Sequence, residues 1–191
     1  KEGYLNIKQI INDSLADASE LPDEGIGGRL VYRNRSKNFI ESLARTLRNH
    51  YRVDDSIFVL SKHHDKHRLE FGMNELLYDI LVCKTGQVPS TLGNKVLTFV
   101  TKAIWQIESE FARNSREAMY DFNKLALGSS ENKLFIGPQV TDEQSYLKPL
   151  LDPAKHCSSN TYVALVPHPS EWKQKALDVH CWMFNNGWQT V

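Results

Sequence analysis

The chain is poor in everything that would stabilise it covalently or tie it to a membrane. Its three cysteines, Cys83, Cys157 and Cys181, are odd in number and far apart. That argues against a disulfide framework and for reduced thiols in a reducing compartment. No apolar run approaches membrane-spanning length, and residues 1–10 contain no signal-type apolar stretch, so a cytoplasmic protein is expected. Net charge is also missing: 23 Lys and Arg balance 23 Asp and Glu, without the cation excess that marks many nucleic-acid binders. There are no repeats and no low-complexity segments. The glycine-rich loop at 25–28 is followed by no Walker Lys-Ser/Thr, and no nucleophile elbow occurs, which argues against P-loop nucleotide binding and serine or cysteine hydrolysis.

The composition that remains is that of a folded domain. The 191 residues, 41% hydrophobic and 24% charged, suffice for one large core or for a core with a small extension. Apolar positions at Leu5, Ile7, Ile10, Ile11 and Leu15 predict a helix over 4–18. Breakers at 21–28 end it, so residues 1–28 read as a helical arm and 29–191 as the main domain. Ser36 is placed to cap a helix carrying Phe39, Ile40, Leu43, Ala44, Leu47 and Tyr51. Strands are expected at 56–61, at 74–83 and within 97–111, where the first half, 97–101, reads equally as helix or connector. Residues 86–93 read as a loop. A helix over 115–127 should stop at Gly128. A strand at 133–136, a helix at 141–151 capped by Thr141, and a strand at 161–166 follow. The aromatic tail, with Trp172, Trp182, Phe184 and Trp188, reads as a last helix. This order predicts an α/β fold, a mixed central β-sheet flanked by helices.

The most informative stretch is Trp105-Gln106-Ile107-Glu108-Ser109-Glu110-Phe111. Period-two alternation puts Gln106, Glu108 and Glu110 on one face of a strand whose other face is apolar. Two carboxylates held side by side repel and lose hydration, and a divalent cation between them offsets both terms. Hard ions such as Mg²⁺ favour such oxygens. In the strand before, Asp79 is the lone charge in an apolar run, a position that β-propensity disfavours. On neighbouring strands, Asp79, Glu108 and Glu110 would converge on one ion.

A helix with an acid, a strand with Asp, a strand with Glu-x-Lys and a following helix form the core of the PD-(D/E)XK nucleases, and residues 36–136 resemble it. The resemblance implies a restriction-endonuclease-like fold and a Mg²⁺- or Mn²⁺-dependent endonuclease. Asp79 would match the first motif, Glu108 the Glu of the second, and Glu41 the additional acid of some members. Asp79, Glu108 and Glu41 would hold metal, and Glu110 would position or deprotonate water. The chain departs from the pattern at Glu110, where the family has Lys. Lys124, on the next helix, is the substitute that the family's migrated-lysine variants imply, although it points about 160° from the apolar stripe at 100° per residue. Arg116 is the alternative cation. The mechanism implied is metal-assisted phosphodiester hydrolysis.

Charge along the chain is uneven. Seven Lys or Arg against one acid, Glu41, lie between 29 and 52, and the loop 62–68 is basic too. Arg33, Arg35, Lys62, His64, Arg68 and Arg116 are therefore candidate nucleic-acid contacts, with DNA as the expected substrate; solvated faces explain the same charges equally well. His63, His64 and His67 lack zinc-site spacing. The alternative to an enzyme is a catalytically inactive nuclease-like domain, disabled at Glu110, that binds DNA or a protein. A third reading is an α/β scaffold without metal. A homodimer is compatible with each.

Overall fold

Apolar residues spaced three and four apart organise two helices ahead of the sheet. The computed structural model describes residues 5–64, 76–91, 93, 95–173 and 176–191. Helix α1 spans Ile7–Glu20 and opens on Asn6, whose side chain accepts from the Gln9 N–H, as an N-cap should. It buries Ile7, Ile11, Leu15 and Ala18. Helix α2 spans Gly28–Tyr51 and buries Phe39, Leu43, Ala44 and Leu47. The two helices pack together, and Ser14 Oγ donates to Thr46 Oγ1 at 3.1 Å between them. Expectation placed the start of α2 at Ser36. The helix instead begins eight residues earlier, because nothing between Gly28 and Ser36 breaks it. Ser36 Oγ donates back to the Tyr32 carbonyl at 2.9 Å, the usual solution for a serine inside a helix.

Among the described residues, seven strands form one sheet in chain order: β1 Ile57–Ser61, β2 Ile80–Pro89, β3 Val96–Ser109, β4 Ser130–Pro138, β5 Asn160–Val166, β6 His180–Phe184 and β7 Trp188–Thr190. Strands β1, β2 and β3 run antiparallel, β3, β4 and β5 parallel, and β5, β6 and β7 antiparallel. Parallel neighbours need crossovers. Helix α3, Ser115–Leu127, carries the chain from β3 to β4. Helix α4, Glu143–Leu147, a 3₁₀ turn Lys148–Leu150 and helix α5, Leu151–Lys155, carry it from β4 to β5. Helices α1 and α2 cover one face, over Val59, Ile80, Val82, Ile107, Leu134 and Ala164. The other face packs Leu81, Cys83, Phe135, Val163 and Leu165 against Phe122, Leu125, Leu147 and Leu150. The mixed α/β sheet flanked by helices is therefore present, and α1 shares its core.

Four local expectations are corrected. The second strand begins at Ile80, not 74, because Leu76, Leu77 and Tyr78 make a tight turn; residues 74 and 75 lie outside the described residues. The region 86–89 is strand, since β2 and β3 continue together past the rest of the sheet. The helix expected over 141–151 is two short helices around a 3₁₀ turn, capped by Asp142 rather than Thr141; Pro149 lacks the N–H that one continuous helix would use. The tail is a β6–β7 hairpin, not a helix. Asn186 at φ 55° and Gly187 at φ 156° turn the chain there, and Asn before Gly is the usual hairpin signal.

The overshoot of β2 and β3 leaves a two-stranded ribbon. Gly86 to Pro89 pair with Phe99 to Val96, while β1 pairs no further than Lys84 and β4 no further back than Ala103. Val88, Val96, Leu97, Phe99 and Val100 are exposed on it.

Candidate functional site

The antiparallel register of β2 and β3 pairs Ile80 with Ile107, which sets Asp79 opposite Glu108. The approach to Asp79 is tightly bent. The Tyr78 N–H donates to the Leu76 carbonyl at 2.8 Å across Leu77, whose φ is 67°. A three-residue turn with positive φ on a leucine is strained, and it delivers Asp79 to the end of the sheet rather than its middle. There Oδ2 accepts from Ser109 N at 2.9 Å and from Ser109 Oγ at 2.6 Å. Burial raises the Asp79 pKa most, the Ser109 bonds oppose it, Asp121 adds to the rise and Lys124 reduces it. Oδ1 takes no hydrogen bond among the described residues.

Glu108 is only 2% exposed. Its Oε2 accepts from Lys124 Nζ at 3.3 Å, and its Oε1 is buried without a donor among the described residues. Burial, then the charge of Asp79, pushes its pKa up to about 8, with Asp121 adding to the rise and Lys124 opposing it. A buried carboxylate with one oxygen unbonded is expensive. Lys124 does not relieve it fully, because its closer partner is Asp121, at 2.7 Å. Partial burial disfavours the Lys124 charge, but the Asp121 bond and the Glu108 charge outweigh it and raise the amine to about 12.

Helix α3 brings these last two groups in. Asn114 caps it by accepting from the Glu117 N–H, and Ala118, Phe122 and Leu125 bury its inner face. Measured from those three, Asp121 stands about 65° off the buried direction and Lys124 about 125°. Helical side chains lean toward the N-terminus, so Lys124 folds back over Asp121 and reaches Glu108. The helical phase alone had pointed it away. Gly128 lets the end of α3 approach the sheet: a Cβ there would run into Gln106 Oε1 and lie 2.5 Å from the Tyr78 hydroxyl.

The other expected site residues lie elsewhere. Glu110 follows the last residue of β3, and its Oε1 accepts from Ala112 N at 2.6 Å, closing a turn. Glu41 accepts from Ser61 Oγ at 2.9 Å and from His63 N at 3.2 Å, at the end of β1. Arg35 is bound to Asp23 at 2.7 Å and to the Pro169 carbonyl at 2.6 Å. Arg33 and Lys62 are exposed, His64 is half-buried, and Arg116 is exposed near the start of α3. Arg68 and His67 lie outside the described residues. Asp121 was not foreseen. The signal for it was an acid flanking the apolar stripe three residues before a lysine.

The concavities of about 940, 790 and 740 Å³ are lined by other residues, two of them around Asn132 and Asn160. Among the described residues, no group of three or more His, Cys, Asp or Glu is placed to enclose a metal ion, and no helix is long and apolar enough to cross a membrane. The chain matches no protein-family model, no curated protein and no solved structure.

Proposed function

We propose that this chain is a Mg²⁺- or Mn²⁺-dependent nuclease with a restriction-endonuclease-like core. One observation carries the reading. Glu108 is buried, has a donorless oxygen, and faces Asp79 across two paired strands. Burial first, and the charge of Asp79 second, keep the Glu108 proton to about pH 8. A cation relieves that arrangement, and the donors are hard oxygens. Mg²⁺ needs only one or two protein carboxylates and keeps its remaining waters, so the pair Asp79 and Glu108 fits it without a third ligand. The order of elements supports the same reading: a helix bearing Glu41, the Asp79 strand, the Glu108 strand, then α3.

Asp79 Oδ1 and Glu108 Oε1 would hold the ion, which when bound supplies a water of lowered pKa and positive charge toward a phosphate. Ser109 fixes the Asp79 carboxylate so that one oxygen stays available. Lys124 is the cation that the usual motif places two residues after the Glu. Asp121 keeps it charged and beside Glu108, where it would stabilise charge building on the phosphoryl oxygens.

A second reading, the inactive nuclease-like domain, has its own observation: position 110 carries Glu, bonded to the Ala112 N–H. Calorimetric titration with Mg²⁺ and Mn²⁺ separates the two when combined with cleavage assays on plasmid and linear DNA. The enzyme reading expects metal binding that Asp79→Ala abolishes, and cleavage that Glu108→Gln abolishes. Metal binding without cleavage favours the second reading. If the wild type binds no metal even with nucleic acid present, the proposal fails.

A further inference from the structure

The basic run between 29 and 52 is not one surface; the structure sorts it into cations with internal partners and cations without. Arg35 holds Asp23 and the Pro169 carbonyl. Arg45 bonds Ser42 and Asp17. Arg48 donates to the Val59 carbonyl and to Ser61. Arg52, at the far end, has no such partner among the described residues; nor have Arg29, Arg33 and Lys37, and all three are exposed.

These three form a ladder. They are four residues apart, so each advances about 40° around the helix and about 6 Å along it. Arg29 and Leu47 are separated by 18 residues, five full turns, and share one side of α2. Leu47 is fully buried against the sheet. The ladder therefore starts on the core-facing line at Arg29 and winds about 80° away from it by Lys37, all of it beyond the point where the core ends, since the buried residues of the helix begin at Phe39. The next position in the ladder is Glu41, which binds Ser61 and the His63 N–H at the end of β1. Ser61 pairs with Ile80, the residue after Asp79. The three cations thus climb away from the same end of the sheet that carries the carboxylates. No acid lies between Arg29 and Lys37.

We infer that Arg29, Arg33 and Lys37 form a rail for the phosphate backbone of duplex DNA, leading to Asp79 and Glu108. This rests on the reading of the site as a nuclease for its substrate class. The rail is about 12 Å long, which spans about three phosphates of one strand at 3.4 Å per nucleotide. The cations are regularly spaced and unpaired, as backbone contacts without base reading require. Unstacked bases would need aromatic platforms, and Tyr32, the aromatic residue in this stretch, is packed edge-on against His168.

The test is fluorescence anisotropy of a labelled 20-base-pair duplex in EDTA, from 50 to 200 mM salt. It compares wild type, the triple variant Arg29→Ala, Arg33→Ala, Lys37→Ala, and a control triple at other exposed cations, Arg52→Ala, Lys95→Ala, Lys148→Ala. Circular dichroism melts check that each is folded. Loss of three phosphate contacts flattens the slope of log K against log salt by about 2.7, so that the same salt rise weakens wild type about 40-fold more than the rail triple. The control triple should keep the wild-type slope. Equal slopes for the two triples, or no duplex binding by wild type, overturn the rail. So does an RNA duplex of the same sequence held as tightly with the same loss, or a loss confined to anionic phospholipid vesicles. The enzyme reading fails separately, as absent cleavage by wild type in Mg²⁺ while the difference in slope persists.

Discussion

Replacing Glu108 by Gln is the sharpest probe of the site, because it keeps the shape of the side chain and removes only its charge. Burial and Asp79 raise the folded-state pKa to about 8 from the ordinary 4.5. Between those two values the folded protein binds a proton that the unfolded chain has already released. Stability contributed by the protonated form is therefore intact below about pH 4.5 and falls as pH rises, by about 1.4 kcal/mol per unit, until it is gone near pH 8. Across the accessible window from pH 6 to 8 the wild type should lose about 2–3 kcal/mol that Glu108→Gln does not. Urea unfolding of both proteins at half-unit steps measures this, and histidines and surface carboxylates common to both cancel in the difference. Adding Mg²⁺ should flatten the wild-type curve, since an ion prefers the ionised carboxylate, and leave the variant unchanged. A difference that stays constant from pH 6 to 8, or grows in favour of wild type as pH rises, refutes the account of a buried, under-bonded acid.

Two further expectations bear on how the site is built. Leu77→Gly should be neutral or stabilise by up to about 1 kcal/mol, against the usual loss from leucine to glycine, because Leu77 is 78% exposed and held at φ 67°, where a Cβ is strained; a loss above 1 kcal/mol in denaturant titration speaks against strain there. Gly128→Ala should destabilise by about 1–3 kcal/mol through the crowding of Gln106 and Tyr78, as overpacking does, and should weaken Mg²⁺ binding as α3 moves Lys124 and Asp121; unchanged thermal melting and metal affinity would remove the case for close approach.

Much of the scaffold was legible because local signals and tertiary packing agreed. Asn114 before the helix and Gly128 after it bracket α3 at Ser115–Leu127, and the apolar run that ends at Val166 marks β5. The approach of Asp79 to Glu108 was expected on the condition that their strands are neighbours, and β2 and β3 do pair, with Ile80 opposite Ile107. Glu110 keeps the period-two alternation, since its N–H still donates to the Ile136 carbonyl and its charge bears on Tyr146 on the side of the sheet that packs Phe122; what alternation could not show is that its Oε1 is taken by the Ala112 N–H. Asp121 had a local signal, an acid three residues before Lys124 beside the apolar stripe, but its place beside Glu108 depends on how a crossover helix lies over the sheet, which no periodicity encodes. Lys124 fell between these cases, since helical phase describes a Cβ direction and not the reach of four methylenes. The tail was misread because its aromatic residues suit either element, and the turn residues Asn186 and Gly187 were given too little weight.

The ribbon made by the overshoot of β2 and β3 has a consequence for handling the protein at high concentration. Its outer edges present unpaired backbone groups beside exposed Val96, Leu97 and Phe99, which is the template on which chains add to one another and form fibres. Lys84 and Lys102 bracket the stretch where it leaves the sheet, and Lys95 stands at its tip. Lys84 and Lys102 are paired with Asp54 and Glu131, so Lys95 carries the charge that would keep neighbouring edges apart, and its acetylation would leave the ribbon open to stacking.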